Sequence, residues 1–178
     1  LLAFKKNRIW RVAGVSPGEY AFQEQYGGGT EVFNTIAVDK ERILMESSNG
    51  LNVYDGMSTS PYMREQVEQL WKTVNMAAID QICAALFHNR YYVAFPANGS
   101  TVNNAMLVYN FDEGTVLHYS DFYVEAFLPT DDHLFFTSST VPGKVLELKY
   151  DSWATGAVRE APTKWISPMG PKPSVFTC

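Results

Sequence analysis

Apolar residues along the chain fall into short runs separated by turn residues. The runs are Leu1–Phe4, Arg8–Val12, Thr35–Asp39, Ile43–Ser47, Leu51–Tyr54, Ile79–Phe87, Tyr91–Phe95, Ala105–Asn110, Val116–Tyr119, Val124–Leu128, Leu134–Thr137 and Lys144–Tyr150. β-Branched and aromatic runs of this length, bounded by Asn, Asp, Gly and Pro, predict strands joined by hairpin turns. The turns fall at Lys6-Asn7, Asn49-Gly50, Asn98-Gly99, Glu113-Gly114 and Pro142-Gly143. One segment has a different period. Met63, Val67, Leu70, Trp71 and Val74 follow helical spacing and leave Arg64, Glu65, Glu68, Gln69 and Lys72 on the other faces. With Ser60 as N-cap, Pro61 in the first helical position and Asn75 as a stop, they predict an amphipathic helix over 60–75.

The strand pattern repeats. Leu2–Val12, Ile43–Tyr54, Tyr91–Asn110 and Leu134–Tyr150 each read as an apolar strand, a turn and a second strand that closes near an aromatic or Asp/Asn residue. The closing positions Val12, Tyr54, Tyr109 and Tyr150 recur at roughly the 40–50-residue interval of propeller blades, with one longer gap that holds the helix. This predicts an all-β chain: a partial or complete β-propeller of four-stranded antiparallel blades, with the 60–75 helix inserted between blades. The chain is strand-like from Leu1 and ends abruptly at Cys178, so residues 1–178 are expected to be one propeller segment cut from a longer polypeptide.

Composition narrows the class. Hydrophobic residues are 46% of the 178 and charged residues 19%, which excludes a disordered chain. No apolar run reaches the length of a membrane span. The 14% of aromatic residues is expected to serve blade packing first and a binding surface second. Net charge is −5, unevenly placed. Lys5, Lys6, Arg8 and Arg11 make the first hairpin basic, whereas the stretch 101–151 carries Asp112, Glu113, Asp121, Glu125, Asp131, Asp132, Glu147 and Asp151 against Lys144 and Lys149. Such an acidic surface disfavours a tight nucleic-acid clamp. Cys83, inside the run Ile82–Phe87, reads as a small buried hydrophobe, and Cys83 with Cys178 makes no disulfide framework.

Candidate chemistry is sparse. His88, His118 and His133 lack metal-ligand spacing, and Asp131-Asp132-His133 reads as a polar loop before it reads as a calcium or zinc site. Gly27-Gly28-Gly29-Thr30 has no following Lys-Ser/Thr and is expected to be a loose connection between blades. Asn110–Thr115 partly resembles the structural Asp-box hairpin of sialidase-type propellers. Asp39, Asp55, Asp80, Asp112 and Asp151 lie near strand ends where a glycosidase pair could gather, though nothing selects a pair. Asp55 and Asp151 are expected instead to accept hydrogen bonds from turn amides.

Phe4–Gly14, Asn49–Gly56 with the helix after it, Arg90–Pro96 with Asn104–Asn110, Gly143–Tyr150 and Thr163-Lys164-Trp165 together resemble the β-propeller structural proteins of tailed bacteriophages. The nearest type is the neck or tail accessory protein that stabilises packaged DNA. Leu117-His118-Tyr119 departs from the Trp that often follows the third hairpin in that group. The resemblance implies a non-enzymatic module of the virion, assembled in the bacterial host cytoplasm. It implies multimers beside the DNA exit channel, docked to portal, adaptor or tail proteins, with no cofactor, no metal and no membrane. Lys5, Lys6 and Arg8 of the basic hairpin, and Arg64 and Trp71 of the helix, are the expected interaction residues. A carbohydrate- or receptor-binding propeller is the alternative, and a glycoside-active enzyme the less favoured one. Propellers host all three, so the fold alone does not choose.

Overall fold

The structure, a computed structural model, describes residues 1–25, 27–40, 42–47 and 49–148, and the backbone of Ile166–Pro168. Tyr150, Asp151, Thr163-Lys164-Trp165 and Cys178, which the sequence singled out, lie outside the described residues. The chain is all-β with little helix. Its strands form four separate antiparallel sheets, each taking its strands in chain order. Two compact units contain them, Leu1–Lys72 and Thr73–Cys178.

The first unit holds two sheets. The first sheet is β1 (Leu2–Lys5), β2 (Arg8–Ala13) and β3 (Ala21–Gln25). The second is β4 (Ala37–Asp39), β5 (Arg42–Ser47), β6 (Gly50–Tyr54) and β7 (Thr59–Pro61). Paired residues share a sheet face. Phe4↔Ile9 in the first sheet and Ile43↔Tyr54 in the second therefore define the faces that meet. Leu2, Phe4 and Ile9 pack with Met45, Tyr54, Ile36 and Ile43. Each fully buried side chain of this kind contributes roughly 1.5–3 kcal/mol.

The second unit also holds two sheets. The third sheet is β8 (Cys83–Phe87), β9 (Arg90–Phe95), β10 (Ala105–Asn110) and β11 (Thr115–Ser120). The fourth is β12 (Ala126–Pro129), β13 (Leu134–Thr137), β14 (Val145–Leu148) and β15 (Ile166–Pro168). Tyr92, Ala94, Met106 and Val108 of the third sheet pack on Leu134, Phe136 and Leu146 of the fourth, and Phe122 and Val124 fill the space at the link between them. β9 from Tyr91 onward and all of β10 are buried on both faces. That burial explains their unbroken apolar runs.

The repeated hairpins are β1–β2, β5–β6, β9–β10 and β13–β14. In the second, third and fourth sheets they form the two middle strands. The helix differs from the expected 60–75. It is α1 (Arg64–Trp71), and Ser60 and Pro61 belong to β7 instead. The ladder Tyr54↔Thr59, Val53↔Ser60 and Asn52↔Pro61 takes these residues first, and a Pro is tolerated there because β7 is an edge strand. Met63, at φ 50°, then turns the chain into the helix. Asn75 caps a following 3-10 turn, Met76–Gln81, through Ala77 N–H, so the strand expected over Ile79–Phe87 begins only at Cys83.

Candidate functional site

The basic hairpin is the β1–β2 turn. Lys5 ends β1, Arg8 begins β2, and the two are cross-strand partners. Both are exposed. Lys6 Nζ lies 2.8 Å from Glu31 Oε2, and Arg8 Nη1 donates to Glu24 Oε2 of β3 at 3.2 Å. Two of the three predicted cations thus have a local carboxylate, and the hairpin carries less free positive charge than the sequence suggests. The glycine run beside it is not loose, as had been expected. A Cβ on Gly29 would collide with the carbonyl oxygens of Lys5 and Arg8. Thr30, fully buried, receives a hydrogen bond from Val32 N–H and donates to the Glu46 carbonyl at 2.5 Å. Gly27 likewise passes against the backbone of Thr59, whereas Gly28 faces open space.

Arg64 and Trp71 are carried on α1. Trp71 is 5% exposed, and its Nε1 donates to the Ser47 carbonyl at 3.1 Å. Its role is to hold α1 on the turn of the second sheet. Its remaining edge lines a small cleft with Asn49, Arg64, Glu68 and Lys72. Lys72 Nζ meets Glu68 Oε1 at 3.0 Å. That hydrogen bond, with the charges of Lys72 and Arg64, holds the Glu68 carboxyl below its ordinary range. Lys5, Lys6 and Arg8 come together at one turn, whereas Arg64 and Trp71 sit on the helix.

Three of the carboxylates considered for catalysis, Asp39, Asp55 and Asp112, are occupied locally, Asp112 by the Asn89 side-chain amide. Asp39 Oδ2 accepts from Arg42 at 2.6 and 2.7 Å. Asp55 Oδ1 accepts from the Met57 and Ser58 amides at 2.9 and 2.8 Å, as the sequence implied, and these bonds lower its pKa. Asn110 Oδ1 accepts from the Asp112 and Glu113 amides and closes the hairpin that resembles an Asp-box. Burial pushes the Cys83 thiol up to about 12, so it stays protonated. His88 stacks on Phe87 and lies 3.3 Å from the Asp131 carbonyl, while His133 Nδ1 lies 2.8 Å from Glu147 Oε1. Among the described residues, no three His, Cys, Asp or Glu side chains are gathered to hold a metal.

Two features escaped the sequence reading. Glu46 is fully buried, neither of its carboxylate oxygens has a partner, and burial raises its pKa well above the ordinary carboxyl value. The alternation of β5 could have located it, since Glu46 falls two residues after Leu44 on the same face of a buried strand. The second is the outer face of the first sheet. Trp10, Val12 and Phe22 share it, because Trp10↔Glu24 and Val12↔Phe22 are paired. Phe22 is 67% exposed. β3 was not anticipated, so this face could not be assembled from sequence. No protein-family model matches the chain, and no curated protein matches it.

Proposed function

We propose that the chain is a non-catalytic structural and docking module of a tailed-bacteriophage particle, built of consecutive β-propeller blades. The observation that carries this reading is the recurrence of one hairpin through four successive antiparallel sheets, as the middle strands of three of them. Meander sheets of four strands in chain order are the unit of a propeller. The phrasing of the hairpins supports the neck or tail accessory type, and the acidic balance suits a position beside a DNA channel, where duplex must slide. Asp55 and Asn110 accept hydrogen bonds from turn amides and Asp39 pairs with Arg42, an arrangement suited to holding hairpins. Portal, adaptor or tail proteins are the expected partners.

Mass spectrometry of gradient-purified particles tests the reading. Stoichiometric peptides of this chain in the particle, and flanking portal, capsid or tail genes, are the expected result. Absence from the particles, or a polysaccharide-use operon around the gene, overturns it. A glycan-binding module is the second reading. It is favoured by exposed rings in the first unit, Phe22 at 67% and Phe33 at 61%. It predicts retention on a glycan array that is lost in Phe22→Ala or Phe33→Ala.

A further inference from the structure

The sequence contains two Asn-Gly pairs, Asn49-Gly50 and Asn98-Gly99. In this dipeptide the asparagine side-chain amide is open to attack by the next backbone nitrogen, because glycine puts no side chain in the way. The structure holds the two pairs differently. Gly50 opens β6, pairs with Ser47 and is buried. A Cβ on Gly50 would lie 3.6 Å from Val67 Cγ2, so α1 packs against it. The Asn49 N–H donates to Ser47 Oγ at 3.2 Å, and Ser47 Oγ donates to the Gly50 carbonyl at 3.2 Å. The peptide between Asn49 and Gly50 therefore turns only if the β5–β6 hairpin opens.

Asn98-Gly99 stands in the loop between β9 and β10. Asn98, at φ 54°, and Gly99, at φ 80°, are the central residues of a tight turn, closed by the Ser100 N–H on the Ala97 carbonyl at 3.0 Å. Both are exposed, and a Cβ on Gly99 would meet nothing within 4 Å. Among the described residues, neither the Asn98 side-chain amide nor the Gly99 N–H has a hydrogen-bond partner. Only the turn's own hydrogen bond spans the Asn98–Gly99 peptide. The same turn clamps the stretch 73–75. Asn98 N–H donates to the Thr73 carbonyl, Asn75 N–H to the Pro96 carbonyl and Asn75 Nδ2 to the Ser100 carbonyl, each at 2.8 Å. Val74 and Ala97 form a bridge beside them.

We propose that Asn98 is a site of spontaneous covalent modification, with water as the only co-reactant, and that its conversion loosens the clamp on 73–75. Hydroxide takes the Gly99 amide proton, and the Gly99 nitrogen bonds to Asn98 Cγ. The Cγ–Nδ2 bond breaks, and ammonia leaves with a proton from water. Water then opens the cyclic imide at one of its two carbonyls. Opening at Cγ leaves aspartate at position 98. Opening at the backbone carbonyl leaves isoaspartate, whose main chain runs through Cβ and Cγ and is one atom longer. Either product places a negative charge on a neutral turn. Isoaspartate also enlarges the ring that the Ser100 N–H closes, and so moves the Ser100 carbonyl away from Asn75. Asn49 is protected by the hairpin and by α1. The proposal is independent of the virion assignment.

Incubation of the full chain at mildly alkaline pH, followed by peptide mapping that separates aspartate from isoaspartate, tests it. Position 98 is expected to convert to a mixture of the two at least about tenfold faster than position 49. Asn98→Gly keeps the positive φ and is expected to show no conversion there. In the isoaspartyl fraction, hydrogen exchange at the Ser100 amide is expected to accelerate. In Asn98→Asp, which gains the charge without the extra backbone atom, that amide is expected to keep its native protection. Equal rates at the two positions overturn the proposal. So does an amide that stays intact at both positions while a free peptide of residues 96–101 converts fully. Unchanged Ser100 exchange in the isoaspartyl fraction overturns the loosening of the clamp.

Discussion

At the turn end of the third sheet's central hairpin, Phe95 is paired with Ala105, and both are buried. At the same place in the first sheet, Lys5 is paired with Arg8, and both are exposed. Two pairs further in, on the same face, Val93 opposes Leu107 in the third sheet and Ala3 opposes Trp10 in the first. The hairpin is common to both, but its outer face is not. In the third sheet every one of these positions is filled with apolar bulk, because both faces are covered. In the first sheet the inner face keeps its Phe4 and Ile9, and the outer face tolerates cations. A repeat thus conserves strand geometry, while the burial of each face sets its side chains.

The largest effect follows directly. Phe95→Ala removes a fully buried ring and is expected to lower stability by about 3–5 kcal/mol. Phe22→Ala, on the open face, is expected to change it by no more than about 0.5 kcal/mol. Urea denaturation of the two variants checks the contrast. Similar losses would mean that the outer face of the first sheet is covered in the free protein.

The second sheet sharpens the comparison from the opposite side, by holding a polar residue where burial is complete. Glu46 has no exposure and no partner for either oxygen. Burial raises its pKa, so the native state keeps a proton that the unfolded chain loses above about 4.3. The unfolded state then binds fewer protons, and stability falls as pH rises from that value toward the raised native one. Glu46→Gln is expected to remove this slope. Glu46→Leu is expected to add about 1–3 kcal/mol at neutral pH, by removing a buried polar group that nothing satisfies. A slope that persists in Glu46→Gln would assign it to another group. Lys5 and Arg8 meet no such penalty, since water reaches them.

The strands were legible where one face is buried and local turn chemistry agrees, as at Asn49-Gly50 and Glu113-Gly114. The hairpin repeat was legible for the same reason. The bounds of α1 were not. Ser60 and Pro61 have the local chemistry of a helix start, but their pairing with Asn52 and Val53 takes precedence, and nothing local in sequence announces that ladder. β3 was missed because all but Gln25 of its residues are exposed, so burial imposed no alternation on it. The basic hairpin was visible as composition. Its neutralising partners, Glu24 and Glu31, were not, because they are brought to it by β3 and by the close passage of Gly29. Trp71 was expected among the interaction residues of the helix, and the Ser47 carbonyl gives its indole a partner inside the unit.

The smallest effect is the most discriminating. Arg8 and Glu24 are 58% and 45% exposed, so their ion pair is screened and is worth little to folding. Arg8→Ala is expected to shift the denaturation midpoint by no more than about 0.5 kcal/mol. In effect it gives the first sheet the residue that the third sheet has at Ala105. The fold is therefore expected to be indifferent to Arg8, whose guanidinium stands in water beside Glu24. If urea denaturation showed Arg8→Ala to be as destabilising as Phe95→Ala, the outer face of the first sheet would be part of the core, and the distinction between the two sheets would collapse.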